Sequence, residues 1–352
     1  MKKRIALIFG GEGAERKISE ISAEGLASVI DKNLYDLILI GITDVGEWYI
    51  YDGDAGKIND SEWLADKSKL TPTYPVKLGE KSGFLCREGI LSVSCAVPCL
   101  HGNFGEDGVI QGALQAAHIP YVGQDVYASA FTSDKAYTKL AAEHLGIPTA
   151  KWMLSTRSDA NAARCEAQVR IGYPMFLKPT RLGSSYGAHP VCCQADFESA
   201  YNDAYSFDGR VLIEELIRPE YELECAFFES DGVLLAPYGR IMSGGSFYDY
   251  ESKYKKEHSP KTEAGRSEND TDIEASARKY SEKLIEFIGL RHLSRIDFFV
   301  TENKDIYFNE INTFPGMTKT SLYPRLTETL GFGRGEFINL LIKEVCASDR
   351  GV

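Results

Sequence analysis

The chain opens with RIALIFGG, an apolar run rich in β-branched residues that halts on paired glycines. It passes at once into AERKISEISAEGLASVI, where Ile18, Ile21, Ser22, Leu26 and Val29 recur near helical spacing. A strand, a glycine loop and a helix in that order open a parallel sheet, because parallel neighbours need a crossover between them. DLILIGIT and LSVSCAVPCL supply further strand signals, and in HGNFGEDGVIQGALQAA a glycine-rich loop again precedes a helix. Residues 1–123 therefore read as an N-terminal α/β domain. The stretch 46–82, polar and rich in glycine and lysine, reads as an excursion from its sheet.

A helix is expected over 133–145, ended by Gly146 and Pro148. YPMFLKP reads as a strand, TRLGSSYG as a loop, and QADFESAYNDAYSF as a helix with Phe197, Ala200, Tyr201, Ala204 and Tyr205 on one face. VLIEEL closes this small central unit, 124–213. The remainder, 214–352, carries strand signals at ELECAFFES, GVLLAPYGR, LSRIDFFV and DIYFNEIN, with helices around 272–288 and 336–346. Three units suit 352 residues at roughly 150 per domain.

The charge balance narrows the partners. With 39 basic against 51 acidic residues the net charge is -12, and no basic block is long enough to track a phosphate backbone, which argues against nucleic acid. The longest apolar runs, Ile5 to Phe9 and Leu37 to Ile42, are strand-sized, far below the roughly 20 residues that span a bilayer. Lys2, Lys3 and Arg4 resemble the start of a signal peptide, but the apolar stretch ends at Gly10 without a cleavage site. Eight cysteines without CxxC spacing read as reduced, mostly buried thiols, and the expected compartment is the cytoplasm.

Four segments carry candidate chemistry. GEGAER is a weak match to a dinucleotide fingerprint, since Arg16 stands where the third glycine belongs; a glycine turn at a helix start still offers a place for an anion, and Glu15 there offers a partner for an ammonium group. In HGNFGEDG, Glu106 and Asp107 suit a plain helix start, which does not require His101 and so leaves that side chain to face a pocket. MFLKP ends a strand on Lys178 and Pro179 just before GSSYG, an ammonium beside backbone donors, which suits nucleotide phosphates without being a P-loop. RIDFF sets Arg295 and Asp297 on one strand face, and YFNEIN sets Glu310 and Asn312 on one face of the next. Hard oxygens next to polyphosphate suit magnesium, and a purely structural strand pair seldom turns such charges inward.

Taken with SFYDYESKY and NEINTFPGMTKTSLYPRL, these motifs resemble, in order and from about residue 4 to 345, the D-alanine:D-alanine ligase family of the ATP-grasp enzymes. The resemblance implies an ATP-grasp fold, with an N-terminal parallel-sheet domain, a small central domain and a C-terminal α+β domain. It implies two D-alanines joined through a D-alanyl phosphate, ATP gripped between the last two domains, and a place in peptidoglycan synthesis. Asp297, Glu310 and Asn312 would hold two Mg²⁺ ions, with Mn²⁺ able to substitute. Lys135, Lys178 and Lys253 would meet phosphates, with Ser184 and Ser185 beside the nucleotide. Glu214, Glu215, Leu216 and Ile217 would line the adenine, and Glu222 would bind the ribose. Glu15 would bind the first ammonium, with His101 nearby, and would join Ser184 and Tyr254 in a hydrogen-bonded triad. Arg295 and the N–H of Gly316 would stabilise the oxyanion. Ser321 and Leu322 would meet the second substrate, where Leu322 and Tyr254 favour D-alanine; GITDVGEWYIYDG looks more like the branches that use D-serine or D-lactate. A homodimer is expected from the resemblance. The chain departs from the family pattern at KKEHSPKTEAGRSEND and at Lys319.

Overall fold

The structure, a computed structural model, describes residues 2–13, 15–229, 232–235, 238–242, 262–264, 271–318 and 321–347. The first layer comprises β1 (Lys3–Gly10), α1 (Arg16–Val29), β2 (Tyr35–Ile42), β3 (Trp48–Tyr51), β4 (Leu70–Pro72), β5 (Pro75–Leu78), β6 (Lys81–Cys86), β7 (Gly89–Leu91), β8 (Cys95–Pro98) and α2 (Val109–Ala116). Its main sheet runs β4-β3-β2-β1-β8. β1 pairs parallel with both β2 and β8, so Ile5 through Phe9 are covered on both faces and fully buried, as a continuous apolar run requires.

The stretch 46–82 is not the excursion its composition suggests. β3 and β4 extend the sheet antiparallel to β2, and β5-β6-β7 form a small meander beside it. Trp63 anchors the segment: its buried ring meets Phe9 edge-on at 5.1 Å, and its Nε1–H donates to the buried Glu20 of α1 at 3.2 Å. Gly41 makes room for it, since a Cβ there would stand 2.5 Å from the indole. The buried stripe of α1 is also shifted from the expected one, to Ser19, Glu20, Ser22, Ala23, Leu26 and Ala27. Ile18 and Ile21 instead line a cleft, so apolar spacing there served a site and not the core.

The helix expected over 133–145 is present as α4 (Lys135–His144), and a further short helix that the sequence reading lacks, α3 (Val126–Ser133), precedes it. Asp134 separates the two. Its extended backbone interrupts the helix while its carboxylate accepts from Ala136 N–H and pairs with Arg210 at 3.0 Å. A four-stranded antiparallel sheet follows, in the order β11-β10-β12-β9, from β9 (Trp152–Ser155), β10 (Met175–Pro179), β11 (His189–Val191) and β12 (Val211–Glu215). Helices α5 (Ala160–Arg170) and α6 (Gln194–Asp208) cover it, and α6 buries Phe197, Ala200, Tyr201 and Ala204 as its spacing predicts.

The third sheet, β16-β15-β13-β17-β18 with β14 on β13, uses β13 (Tyr221–Glu229), β14 (Val233–Leu235), β15 (Gly239–Met242), β16 (Thr262–Ala264), β17 (Leu293–Val300) and β18 (Ile306–Asn312). With it go α7 (Thr271–Ile288), α8 (Leu322–Glu328) and α9 (Arg334–Ala347). Packing redraws the expected limits in three places. Ala128, Ala142 and Ile147 share a core with Phe227, Phe298 and Phe308, so α3 and α4 pack with the third sheet although 124–213 reads as one unit in sequence. Strand β12 runs to Glu215, past the expected limit at 213. The C-terminal α9 returns to the first layer, where Phe337 and Leu341 share a core with Leu26 and Cys95. Of the eight free cysteines, Cys95, Cys99 and Cys225 are buried while Cys165, Cys192 and Cys193 are exposed, so burial is not the general rule expected. No helix among the described residues is long and apolar enough to cross a membrane.

Replacing Trp63 by Ala removes both the ring packing and the Glu20 hydrogen bond. The expected loss is about 3–5 kcal/mol by urea denaturation, and a loss under about 1 kcal/mol would show that the segment is anchored elsewhere.

Candidate active site

All three layers border one cleft of about 1400 Å³, a favoured place for a ligand site. Its floor is set by strand register. Glu224 of β13 stands opposite Asp297 of β17, which stands opposite Glu310 of β18, so three carboxylates form a row across the sheet. In the adjoining row Arg295 stands opposite Asn312. Side by side, like charges repel, and cations offset this. Arg295 grips Asp297 in two hydrogen bonds, Nε to Oδ1 at 2.8 Å and Nη2 to Oδ2 at 2.6 Å, and its Nε lies 3.4 Å from Glu224. Burial works against this cation, yet Asp297 and Glu224 hold its pKa well above the usual value. Lys135 lies 3.3 Å from Glu310 and donates to the carbonyl of Leu182 at 2.8 Å.

A β-bulge completes the floor. Asp297 pairs with Glu310 but Phe298 pairs with Phe308, so Asn309 is the extra residue of β18. Asn309 and Glu310 consequently both line the cleft, and Asn309 Oδ1 accepts from Lys178 at 3.2 Å. The other partner of Lys178 is Glu214, at 2.7 Å, whose second oxygen pairs with Lys139 at 2.5 Å. Burial alone would raise the carboxyl of Glu214, but the two lysines override it and hold the pKa at about 2.

Above the floor, the first layer closes the cleft. Glu15 Oε1 accepts from the hydroxyl of Ser184, joining the α1 loop to the GSSYG loop. Ser184 and Ser185 both adopt left-handed backbone, at φ of 51° and 59°, a strained pair that is common where backbone N–H groups are turned toward a ligand. The glycine at 102 is required, because a Cβ would fall 1.9 Å from Glu15 Oε2. Tyr254, the third member of the expected triad, and Lys253 lie outside the described residues.

His101 is buried, and both ring nitrogens are used within the protein. Nδ1 lies 3.1 Å from the carbonyl of Phe314, which can only accept, so Nδ1 carries the hydrogen and Nε2 accepts from Ser22 at 3.0 Å. Burial lowers the pKa to about 4, keeping the ring neutral. His101 therefore orients the 313–316 loop through Phe314. Glu106 does the same from the other side, accepting from Gly102 N–H at 2.8 Å and Phe314 N–H at 2.9 Å. Asp107 keeps the helix-start role, accepting from Val109 N–H at 3.1 Å. Further along that loop, a Cβ at Gly316 would stand 2.9 Å from Ser321 Oγ, which itself binds Thr318 Oγ1 at 2.7 Å. Leu322 is almost buried, packed so closely on Gly239 that a Cβ there would lie 2.4 Å from it. Glu215, Leu216, Ile217 and Glu222 line the same cleft.

Sequence reasoning missed Glu106 as a clamp and Glu224, Lys139 and Asn309 altogether. Two of these had a signal: Glu224 is two residues from Glu222 on one strand, and Lys139 is four from Lys135 on one helix. The bulge that delivers Asn309 had none.

For the residues expected to hold magnesium, the donor chemistry fits. Asn312 turns Nδ2 to Asp297 Oδ2 at 2.9 Å, which leaves its amide oxygen pointing elsewhere, beside the two carboxylates. Among the described residues no three His, Cys, Asp or Glu side chains form a metal cage, and magnesium bound through polyphosphate does not need one.

Burial, and then the charge of Glu15, raise the pKa of Glu106 to about 7 from 4.5. Its folded value lies above its unfolded one, so the stability it contributes is complete below about pH 4.5 and is lost as the pH rises through about 7. Glu106→Gln should flatten that fall, by about 1–2 kcal/mol after allowing for solvent in the open cleft, in urea midpoints taken from pH 4.5 to 8. Parallel profiles for the two proteins would show that Glu106 does not titrate there.

Comparison with known proteins identifies the family. The family profile described as D-ala D-ala ligase N-terminus matches residues 4–124, and that described as D-ala D-ala ligase C-terminus matches 141–343. A D-alanine–D-alanine ligase of Ruminiclostridium cellulolyticum is 36% identical over 97% of this chain and 95% of its own. Among solved structures, the VanG D-Ala:D-Ser ligase of Enterococcus faecalis superposes with a TM-score of 0.87 at 33% identity, covering 98% of this chain and all of that one. The D-alanine-D-alanine ligase of Coxiella burnetii gives 0.83 at 27% identity, over 98% and 95%. With both halves matched in order and the relatives aligned end to end, the chain belongs to the D-alanine–D-alanine ligase family and has its ATP-grasp fold.

Proposed function

We propose that this chain uses ATP to join two D-alanines into D-alanyl-D-alanine, a peptidoglycan precursor, releasing ADP and phosphate. The observation that carries the reading is the row Glu224–Asp297–Glu310 with Arg295, Lys135 and Lys178 around it, in the same cleft as Glu15 and the 313–316 loop. A carboxylate is a poor electrophile. Its oxygen attacks the terminal phosphorus of ATP, the bond to the ADP oxygen breaks, and an acyl phosphate results. The amine of the second D-alanine then attacks the acyl carbon, a C–N bond forms, the C–O bond to phosphate breaks, and the amine loses its proton.

Positioning and charge neutralisation do most of this work. Lys135 and Lys178 would bind phosphate oxygens, with Ser184, Ser185 and the left-handed backbone of their loop facing the same charge. Backbone groups of Glu214 to Ile217 would read the adenine, and Glu222 would take the ribose. Asp297, Glu310 and Asn312 would hold two Mg²⁺ ions, or Mn²⁺ in their place, which supply positive charge to the phosphates. Glu15 would bind the first ammonium. Arg295 suits the oxyanion because its Nη1 makes no hydrogen bond with any described residue, while Asp297 and Glu224 keep the side chain fixed. The N–H of Gly316 would be the second donor, and Ser321 and Leu322 would meet the second substrate, Leu322 as an apolar wall. The triad of Glu15, Ser184 and Tyr254 would close the loops and exclude water from the acyl phosphate.

A second reading, D-alanyl-D-serine synthesis, is favoured by one observation, the close superposition on a D-Ala:D-Ser ligase. Phosphate release with ATP and Mg²⁺, with products identified by mass, separates the two. Dipeptide from D-alanine alone is expected; product only from mixed D-alanine and D-serine would move the second-substrate assignment to D-serine. Arg295→Lys, which keeps a cation beside Asp297 but loses the planar fork, should lower turnover by about 10²–10³ while ATP affinity changes little. Retained turnover would remove Arg295 from the chemistry.

A further inference from the structure

Lys139 is a buried cation that the reaction as described does not use. It lies on α4 one turn beyond Lys135, 1% exposed, and its ammonium meets Glu214 Oε1 at 2.5 Å. The opposite oxygen of the same carboxylate meets Lys178 at 2.7 Å. Lys178 and Glu214 border the cleft; Lys139 does not, being screened from it by Glu214. Burying a lysine is costly, and an apolar residue in its place would pack on the helix without that cost. A reason for its presence is the local charge. Lys178 with Glu214 alone makes a neutral pair, a weak attractor for polyphosphate. With Lys139 the cluster carries one net positive charge, and the free face of that charge is the ammonium of Lys178.

We propose that Lys139 is a positioning residue for nucleotide phosphates: by pairing with Glu214 it offsets the carboxylate that would otherwise neutralise Lys178. The inference rests on the reading of this cleft as the ATP site. It treats the side chain of Glu214 as the link between the two lysines, apart from the adenine contact of its backbone, while Asn309 Oδ1 holds Lys178 in place.

The test is equilibrium binding to the full chain of ATP, ADP and, by competition, adenosine, which lacks phosphates. Lys139→Met should weaken ATP and ADP by about tenfold and leave adenosine within about twofold. Lys139→Met combined with Glu214→Gln removes both buried charges and should return ATP affinity to within about threefold of the parent. Equal loss for adenosine, undiminished ATP binding in the single variant, or no recovery in the double would each overturn the proposal. Should Lys139→Met not fold, Glu214→Gln alone decides: it must bind ATP at least as tightly as the parent, and weaker ATP binding with adenosine unchanged refutes the idea. A parent protein that binds neither ATP nor ADP would sink the nucleotide-site reading itself, and this inference with it.

Discussion

The cleft depends on holding the three carboxyl groups of Glu224, Asp297 and Glu310 side by side. Strand pairing sets them directly opposite one another, an arrangement that would push a sheet apart unless cations intervened. Arg295 is the principal one, because its planar fork satisfies both oxygens of Asp297 and still reaches Glu224. Lys135 secures the other end of the row from a helix that belongs, by packing, to the same layer. The acids and the cations thus stabilise one another, and the same groups line the cleft.

The remaining walls are fastened to this floor by small polar contacts between distant parts of the chain. His101 and Glu106 hold the Phe314 carbonyl and N–H from opposite sides, so the loop leading to Gly316 is fixed by the first layer and not by its own sheet. Ser184 reaches Glu15 across the cleft. A shared apolar core beneath, where α9 packs on α1 and β8, keeps the first and third layers in one relation and lets hydrogen bonds of ordinary strength define the geometry.

Much of this was legible before any coordinates. The opening strand, glycine loop and helix follow from apolar spacing, and period-two alternation correctly put Arg295 with Asp297 and Glu310 with Asn312 on one face. Composition misled at 46–82, where a polar stretch conceals the two short strands β3 and β4, and the helix expected over 133–145 stands while α3, set off from it by the capping Asp134, went unread. The role of His101 was half visible: its motif marks it as special, but a free ring and a ring with both nitrogens occupied have the same sequence.

Local pattern, then, determined the elements and the residue types available to the cleft, since side-chain periodicity and turn chemistry act over a few residues. Which of those residues meet was decided over hundreds. The Asn309 bulge, the bracketing of Glu214 by Lys139 and Lys178, and the pairing of Glu106 with Phe314 all depend on strand register and on how three layers pack. Register and packing are collective: they minimise buried charge and void over the whole molecule, and no short window of sequence contains that sum.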